Sequence, residues 1–439
     1  MNIKSFTEEP VSKIFFRYLF PSICGTMVTS IYVLADTIII GKGIGADAMA
    51  ALNIVLPLFN VFFGTGLLFG VGGSVLMSIA RGKGDYQTGN RYFSTAVLLN
   101  AVISIIYMII FLIFMEDMAR FLGATEITLP YIMDYAPYVI WGLGFFSFST
   151  FLQTFVRNDG APKLSMIAVV TGGITNVFLD ILFVFTFDME MAGASIASVI
   201  GTIITTCILL FHFFSKRNGL HFTLKGLSFS FVKQIFKNGF TSFILEMSAG
   251  IVMFFFNIQI LKYIGDIGVT MYGVIANTSI VVVCLCNGIN QASQPIISIN
   301  HGAGLDERIR TVKKLGLKTA FIICSVPAIL GLIVPNMFTN IFLNPNAEIL
   351  ALSSTAIRIY FTGFFVIGIN MFIVGYFQST VKPQLSLSLC LIKSCVLSVL
   401  FVYILPLFFG VTGIWAAVPL AEFITLGLGI YFIISRNPE

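Results

Sequence analysis

Twelve long apolar runs divide this sequence, and they limit the possible folds more than any other feature. A helix needs about 20 apolar residues to cross roughly 30 Å of hydrocarbon, and every run is at least that long. The runs are continuous rather than alternating in polarity, which is typical of helices and not of a membrane β-barrel. They cover residues 14–41, 48–79, 92–115, 131–157, 162–187, 192–214, 233–262, 268–298, 313–336, 354–379, 383–409 and 411–435. The sequence therefore predicts an all-α integral membrane protein with twelve transmembrane helices.

The composition excludes several classes of protein. Hydrophobic residues make up 57% of the 439 residues and charged residues only 10%, whereas soluble proteins carry about 25% charged residues. A water-soluble enzyme, a disordered chain and a nucleic-acid-binding protein are therefore excluded, and the lipid bilayer is the expected environment. The seven cysteines lie inside apolar runs without zinc or disulfide spacing. We therefore expect small buried thiols and no metal site.

The distribution of basic residues predicts the orientation in the membrane. With the N-terminus placed on side one, 20 of the 25 Lys and Arg residues fall on that side, and Lys393 lies within a run. The four on side two are Lys42, Arg120, Lys262 and Arg358. One miscounted helix would invert every later connection and remove this asymmetry. Because cytoplasmic connections are enriched in Lys and Arg, we predict a multi-pass protein of the cell membrane with both termini in the cytoplasm.

The two halves of the chain share a weak repeat at an offset of 220 residues. Matched pairs include Lys13 with Lys233, Phe16 with Phe236, Ile44-Gly45 with Ile264-Gly265, Gly82 with Gly302 and Gly193 with Gly413. The repeat predicts an N-lobe at 1–214, a cytoplasmic linker at 215–232 and a C-lobe at 233–439. Six helices per lobe is an even number, so both lobes enter from the same side. A pseudo-two-fold axis along the membrane normal would relate them, as in transporters whose halves rock about a central site.

Acidic residues within the first-lobe runs are the main functional clue, because charge in hydrocarbon is costly. Asp36 lies in the first run, and Asp180 lies in the fifth, four residues after Asn176 on the same helix face. Ser198 and Thr202 in the sixth run add hydroxyl groups. An isolated carboxyl group here can accept a proton and release it when water enters, and its oxygen neighbours also suit Na⁺. The structural alternatives are a hydrated acid near the interface for Asp36 and a helix-joining polar cluster around Asp180.

The second lobe has different charged residues. Glu246 lies in the seventh run, Lys393 in the eleventh and Glu422 in the twelfth. We expect Lys393 to pair with Glu422 or with Glu246. Such a pair is either structural or takes part in ion coupling or substrate binding, and the sequence leaves both roles open.

Signatures of catalysis or ATP use are missing from the sequence. No Walker loop, nucleophile elbow or zinc-binding HExxH motif occurs, and the residues 82–84 read as a cytoplasmic turn. We therefore expect neither an enzyme nor a cofactor, and any uphill transport must be driven by an ion gradient. Pro21 lies inside the first run and removes one helix hydrogen bond, so it is a candidate site for a helix bend.

Six ordered segments resemble one known family, the multidrug and toxic compound extrusion (MATE) transporters, over essentially the whole chain. The segments are ADTIIIGKGIGADAMAALNIVLP, SIARGKGD, NVFLDILFVF, MAGASIAS, QPIISINHGAG and VTGIWAAVPLAE. Within the family the chain looks most similar to the bacterial branch that contains MepA-type and DinF-type pumps. The resemblance implies two lobes around a V-shaped cavity, and a monomer.

The resemblance also implies roles for individual residues. In DinF-type members, acids of the first and fifth spans with a nearby Asn couple cations, and Asp36, Asn176 and Asp180 match them. Ser198 matches a sixth-span hydroxyl, and Pro21 matches the proline at which the first span bends. Glu246 resembles the seventh-span Glu of the NorM-type branch, but the tenth run lacks the acid that accompanies it. Lys393 matches no family position.

The leading functional prediction is an antiporter that exports organic cations by alternating access and is driven by H⁺ or Na⁺. The alternative within the wider superfamily is a flippase for lipid-linked saccharides, which is expected to need basic residues for a pyrophosphate group, whereas the runs contain only Lys393. A membrane-embedded lipid-modifying enzyme would show clustered polar groups at one interface, and none is visible. A passive channel is a fourth reading, which the lobed repeat and scattered prolines disfavour.

Overall fold

The computed structural model describes residues 3–216, 218–342 and 347–436. All regular structure in these ranges is helical, and twelve helices are long and apolar enough to span a membrane. We number them α1–α12: Val11–Gly43, Ala46–Gly82, Tyr86–Ile113, Leu129–Asn158, Pro162–Thr186, Glu190–Phe214, Phe229–Tyr263, Ile267–Gly302, Asp306–Ile333, Ile349–Ser379, Pro383–Phe409 and Val411–Ser435. Each predicted apolar run falls on one of these helices. The predicted fold class is confirmed.

Local sequence signals set where these helices begin. Asp85 precedes α3, and its carboxylate accepts a hydrogen bond from the Thr88 N–H at 2.9 Å. Pro162 and Pro383 occupy the first positions of α5 and α11, where a missing N–H is tolerated. α7 begins at Phe229, four residues before the predicted start of the C-lobe. Arg217, within the predicted linker, lies outside the described residues.

Two of the spans contain a wider π-helical turn. In α5 it covers Leu182–Thr186 and directly follows the segment that holds Asp180. In α11 it covers Ile392–Leu397 and includes Lys393. Such turns insert one residue into the helical repeat and often occur at functional sites.

The N-lobe (α1–α6) and the C-lobe (α7–α12) exchange the beginnings of their first helices. Phe15 and Tyr18 of α1 are buried in one apolar core with Ile296 and Phe377 of the C-lobe. Ile235 of α7 is buried in a core with N-lobe residues. The later halves of both helices pack in their own lobes. Each lobe therefore holds the other at the end of the molecule where the chain begins.

Direct contacts close the lobes together at this same end, which we call the basic end. A Cβ atom built on Gly82 would collide with the Ile299 carbonyl oxygen, and one on Gly302 would collide with the Ile79 carbonyl oxygen. The two contacts are equivalent under the repeat, so they lie about the pseudo-two-fold axis. Arg157 Nη1 also donates to Gln291 Oε1 at 2.7 Å.

The inter-lobe contacts reach about half-way along the spans. The farthest one on α1 joins Ser30 Oγ to Cys284 Sγ at 2.6 Å, close to Thr26 Oγ1, which donates to the Cys284 carbonyl at 2.8 Å. Beyond Ser30, no side-chain hydrogen bond between the lobes occurs in the part of the chain that the structure describes. The molecule is thus closed at the basic end.

Candidate cation site

Three helices of the N-lobe bring the predicted polar residues together. Asp36 lies on α1, Asn176 and Asp180 lie on α5 one turn apart, and Ser198 lies on α6. All but Ser198 are buried, with exposed fractions of 9% for Asp36, 3% for Asn176 and 0% for Asp180. The helical spacing from Asn176 to Asp180 places both on the face of α5 that turns away from lipid. The structure therefore gathers these residues in one polar site.

Hydrogen bonds of the polar side chains connect two of these helices. Asn176 Nδ2 donates to Ser198 Oγ at 3.2 Å, and the amide also lies within electrostatic range of the Asp180 carboxylate. Thr202 lies one turn after Ser198, and its hydroxyl donates to the Ser198 carbonyl at 2.9 Å. The Asn176–Ser198 hydrogen bond therefore ties α5 to α6, and the Thr202 hydroxyl stabilises the turn of α6 that holds Ser198.

Four oxygen atoms in this site are buried and have no hydrogen-bond partner among the described residues. They are Asp36 Oδ1, Asn176 Oδ1 and both carboxylate oxygens of Asp180. Within the described residues, no basic side chain forms an ion pair with either acid. A buried carboxylate without a counter-charge is strongly disfavoured as the bare anion. The site can satisfy these oxygens by binding protons or a small hard cation, for which oxygen atoms are the preferred ligands.

Tyr135 is a member of the site that the sequence did not single out. It lies on α4, is fully buried, and is within electrostatic range of both Asp36 and Asp180. Tyr32, one turn before Asp36 on α1, is also within range of Asp36. Only the packing of α4 against α5 and α6 shows that Tyr135 belongs to the site.

The C-lobe contains a second polar cluster, in which the charges are paired. Lys393 Nζ lies 2.7 Å from Glu422 Oε1, so of the two expected pairings the structure has the one with Glu422. Asn370 of α10 donates through Nδ2 to Glu422 Oε2 at 2.7 Å and to the Glu422 carbonyl at 2.8 Å. This acid therefore has partners on both carboxylate oxygens, unlike Asp180.

Glu246 lies apart from the Lys393–Glu422 pair. It faces the N-lobe, because a Cβ atom built on Gly64 of α2 would lie 3.6 Å from the Glu246 Cβ. It is also within electrostatic range of Cys284. No ion pair joins Glu246 to a base in the described ranges. The structure therefore separates the three C-lobe residues into a pair and an inter-lobe acid.

A buried ionic cluster at the basic end, centred on the connection between α4 and α5, was not anticipated from the sequence. Asp159, in the turn between α4 and α5, pairs with Arg81 Nη1, lies 2.6 Å from His212 Nε2, and accepts from the Gly219 N–H at 2.8 Å. Burial alone would raise the pKa of Asp159. The hydrogen bond with His212 and the Arg81 charge outweigh this effect and hold that pKa below its usual range. The cluster fastens the linker to the N-lobe.

Twelve spanning helices in two similar lobes, with buried acids inside the membrane, form the architecture of a membrane transporter. The sequence model of the MatE family matches residues 21–182 and 240–404. The chain therefore belongs to the MatE family.

Similar proteins span nearly the whole chain. The multidrug export protein MepA of Staphylococcus saprophyticus is 24% identical over 95% of this chain and 92% of its own length. MepA of Staphylococcus haemolyticus is 24% identical over 98% and 95%. A solved MATE family transporter in an outward-facing conformation has a TM-score of 0.92 at 22% identity and covers 99% of this chain and 98% of its own. A MATE structure in a bent conformation has a TM-score of 0.91 at 22% identity, over 99% and 97%.

Proposed function

We propose that this protein exports organic cations in exchange for H⁺ or Na⁺ that bind at Asp36 and Asp180. The observation that carries the proposal is the set of four buried oxygens without hydrogen-bond partners on Asp36, Asn176 and Asp180. A purely structural polar cluster would satisfy its own donors and acceptors. These acids instead keep the ligands that a transported ion needs.

Ion binding would act on the equilibrium between two arrangements of the lobes. Neutralising Asp36 removes its repulsion from Asp180 and lets α1 pack closer to α5. An ion shifts such an equilibrium only by the difference between its affinities for the two states. The closed basic end supports a cycle in which ion binding favours the state that releases the substrate on the opposite side. The enrichment of Lys and Arg at the closed end supports a cytoplasmic location for it, with both termini in the cytoplasm of a cell-membrane protein.

Organic cations are the substrate class that the charge balance favours. The described spans contain unpaired acids, whereas their one mid-membrane base, Lys393, is neutralised by Glu422. Relatives named as multidrug export proteins support the export of small-molecule drugs. We further propose that the protein works as a monomer in the bilayer, without a cofactor and without catalysing a reaction.

The test is dye efflux from everted vesicles with separately imposed pH and Na⁺ gradients. We expect one gradient to drive transport of ethidium, and we expect Asp36→Asn and Asp180→Asn each to abolish it while the protein remains in the membrane. Asp188→Asn is a matched control, because this acid lies beyond the end of α5.

Unchanged efflux in both variants would refute the proposed coupling site. If the native protein moves no dye under either gradient, the multidrug function itself fails. The next substrates to test would then be lipid-linked saccharides.

A further inference from the structure

The C-lobe cluster of Asn370, Lys393 and Glu422 has no role in the function proposed above. We propose that the Lys393 ammonium is a built-in counter-cation. It occupies a C-lobe site that would otherwise bind H⁺ or another monovalent cation, so that ions are coupled through the N-lobe alone. This inference rests on the proposed cation-coupled function and specifies how many lobes take part.

The carboxylate of Glu422 requires a cation at this position. Its side chain is 1% exposed and lies in the middle of α12, where a bare anion is strongly disfavoured. Asn370 supplies one N–H group to each of Glu422 Oε2 and the Glu422 carbonyl, but an amide carries no charge. Lys393, at 2.7 Å from Oε1, is the charged partner.

The oxygen atoms of this cluster are of the types that bind small hard cations. The ammonium contacts Glu422 Oε1, Glu422 Oε2 accepts from Asn370, and Asn370 Oδ1 is buried without a hydrogen-bond partner among the described residues. The N-lobe site offers the same atom types from Asp180 and Asn176. In the C-lobe, however, the place of the cation is filled by the Lys393 ammonium of the protein itself.

The π-helical turn of α11 accounts for the position of Lys393. The turn inserts one residue into the helix at Ile392–Leu397, and it contains Lys393. Its backbone is held by Ser398 Oγ, which donates to the Lys393 carbonyl at 2.8 Å. The side chain is 17% exposed, so the ammonium lies at the edge of the cluster and the carboxylate lies behind it.

The intramembrane charges of the two lobes lie at positions that are not equivalent under the repeat. At the repeat offset, Lys393 and Glu422 correspond to Gly173 and Thr202, which carry none. Conversely, Asp36 and Asp180 correspond to Phe256 and Leu400. Apart from Glu246, which lies between the lobes, one lobe thus has acids without a base, and the other has an acid with its own base. This difference is what an asymmetric division of ion binding requires.

The experiment measures ion-dependent thermal stability of the full chain, purified in lipid nanodiscs. All proteins carry Asp36→Asn and Asp180→Asn, so the N-lobe site does not contribute to the dependence of Tm on ions and pH. Glu246 is present in every protein, and its contribution is the same in each. We compare Lys393→Gln with the parent in NaCl, in LiCl and in choline chloride of equal ionic strength, and at pH values on either side of neutrality. We expect the Lys393→Gln protein to have a lower Tm than its parent. We also expect Na⁺, Li⁺ or acid to raise the Tm of this variant by about 2 °C or more.

Two controls assign any new ion dependence to Glu422. Lys393→Gln with Glu422→Gln should lose it, because no carboxylate remains, and Lys393→Arg should not show it, because the charge is kept. The other titratable groups within electrostatic range of the pair are Cys286, Cys324, Tyr360 and Cys390. They are the same in all variants, so their titration cancels in the comparison.

Two results would overturn the proposal. The first is a Lys393→Gln protein whose Tm depends on ions and pH no more than that of its parent. The second applies even if Lys393→Gln alone fails to fold. It uses the Lys393→Gln/Glu422→Gln double variant with Asp36 and Asp180 intact. This variant should keep ion-driven transport and the native ratio of ions to substrate. Loss of that coupling would mean that Lys393 and Glu422 take part in ion coupling. Neither result depends on whether the Asp36 and Asp180 variants lose efflux, so the two proposals can fail separately.

Discussion

Asp159 and Asp180 are both fully buried, but their surroundings differ. Asp159 is held by Arg81, His212 and the Gly219 backbone, whereas both carboxylate oxygens of Asp180 have no partner among the described residues. A fully paired acid stabilises one structure, and an unpaired one stays available to a ligand. Hydrogen bonding, more than burial, therefore separates the structural acid from the candidate coupling acid.

Replacing Asp159 should destabilise the basic end of the N-lobe. Asp159→Ala would remove the carboxylate that pairs with the buried Arg81 charge, and we expect a loss of about 3–5 kcal/mol in the free energy of unfolding. Chemical denaturation of the purified protein measures this loss. Asp85→Asn is the control, because Asp85 is an exposed helix cap and Asn caps equally well, so a change within about 0.5 kcal/mol is expected.

The lowered pKa of Asp159 predicts that the folded protein loses stability in acid. The folded-state pKa of Asp159 is held below its usual value, so its contribution is complete above the unfolded pKa of about 3.9 and is lost as the pH falls through the folded value. Tm measured against pH below about 4 should therefore fall less steeply in Asp159→Asn than in the native protein. Equal slopes would contradict the assignment.

Sequence reasoning at the residue scale located the acids but not their partners. Asp36 and Asp180 stand out because charge is rare in apolar runs, and the spacing of Asn176 follows from the helical repeat. Tyr135 and the Asn176–Ser198 hydrogen bond depend on how α4, α5 and α6 pack, and no local pattern encodes that packing.

At the scale of single helices, α1 and α7 are the elements that both lobes share. Their first turns are buried in the opposite lobe, and their later turns belong to their own lobe. α1 is one continuous helix through Pro21, which lies just before the point where its inter-lobe contacts end. Because proline has no N–H group, the helix lacks one backbone hydrogen bond at Pro21. We therefore predict that α1 bends at this residue.

The glycine contact between α2 and α8 should control closure of the basic end. Gly82→Ala or Gly302→Ala places a methyl group against a backbone carbonyl of the other lobe, which cannot move aside as a side chain could. We expect a folded protein whose lobes are shifted towards opening at this end, with transport reduced at least about tenfold. Labelling of Gln294→Cys by a maleimide measures the opening, since Gln294 is 7% exposed between the lobes.

The control for the glycine contact is Gly144→Ala, because a Cβ atom at Gly144 meets no other atom within 4 Å. It should leave both labelling and transport at the native level. If Gly82→Ala and Gly302→Ala behave like Gly144→Ala, this contact does not limit closure.

At the scale of the whole molecule, the topology predicts which surfaces face the cytoplasm. Glu126 lies in the connection between α3 and α4, and Lys225 lies in the linker before α7, and both are exposed. A membrane-impermeant maleimide added to intact cells should label Glu126→Cys and should label Lys225→Cys only after the cells are opened. The reverse pattern would invert the orientation inferred from the Lys and Arg residues.

The sequence alone determined the twelve spans, their grouping into two similar lobes and the positions of the intramembrane charges. It could do so because hydrocarbon excludes unpaired polar groups, so span length, loop charge and each buried acid are visible in the order of residues. Only the tertiary structure decided that Lys393 pairs with Glu422, that no base among the described residues pairs with Asp180, and that the lobes close through Gly82 and Gly302. These features depend on contacts between helices far apart in the chain, and distances across a bundle are set by packing and not by local sequence.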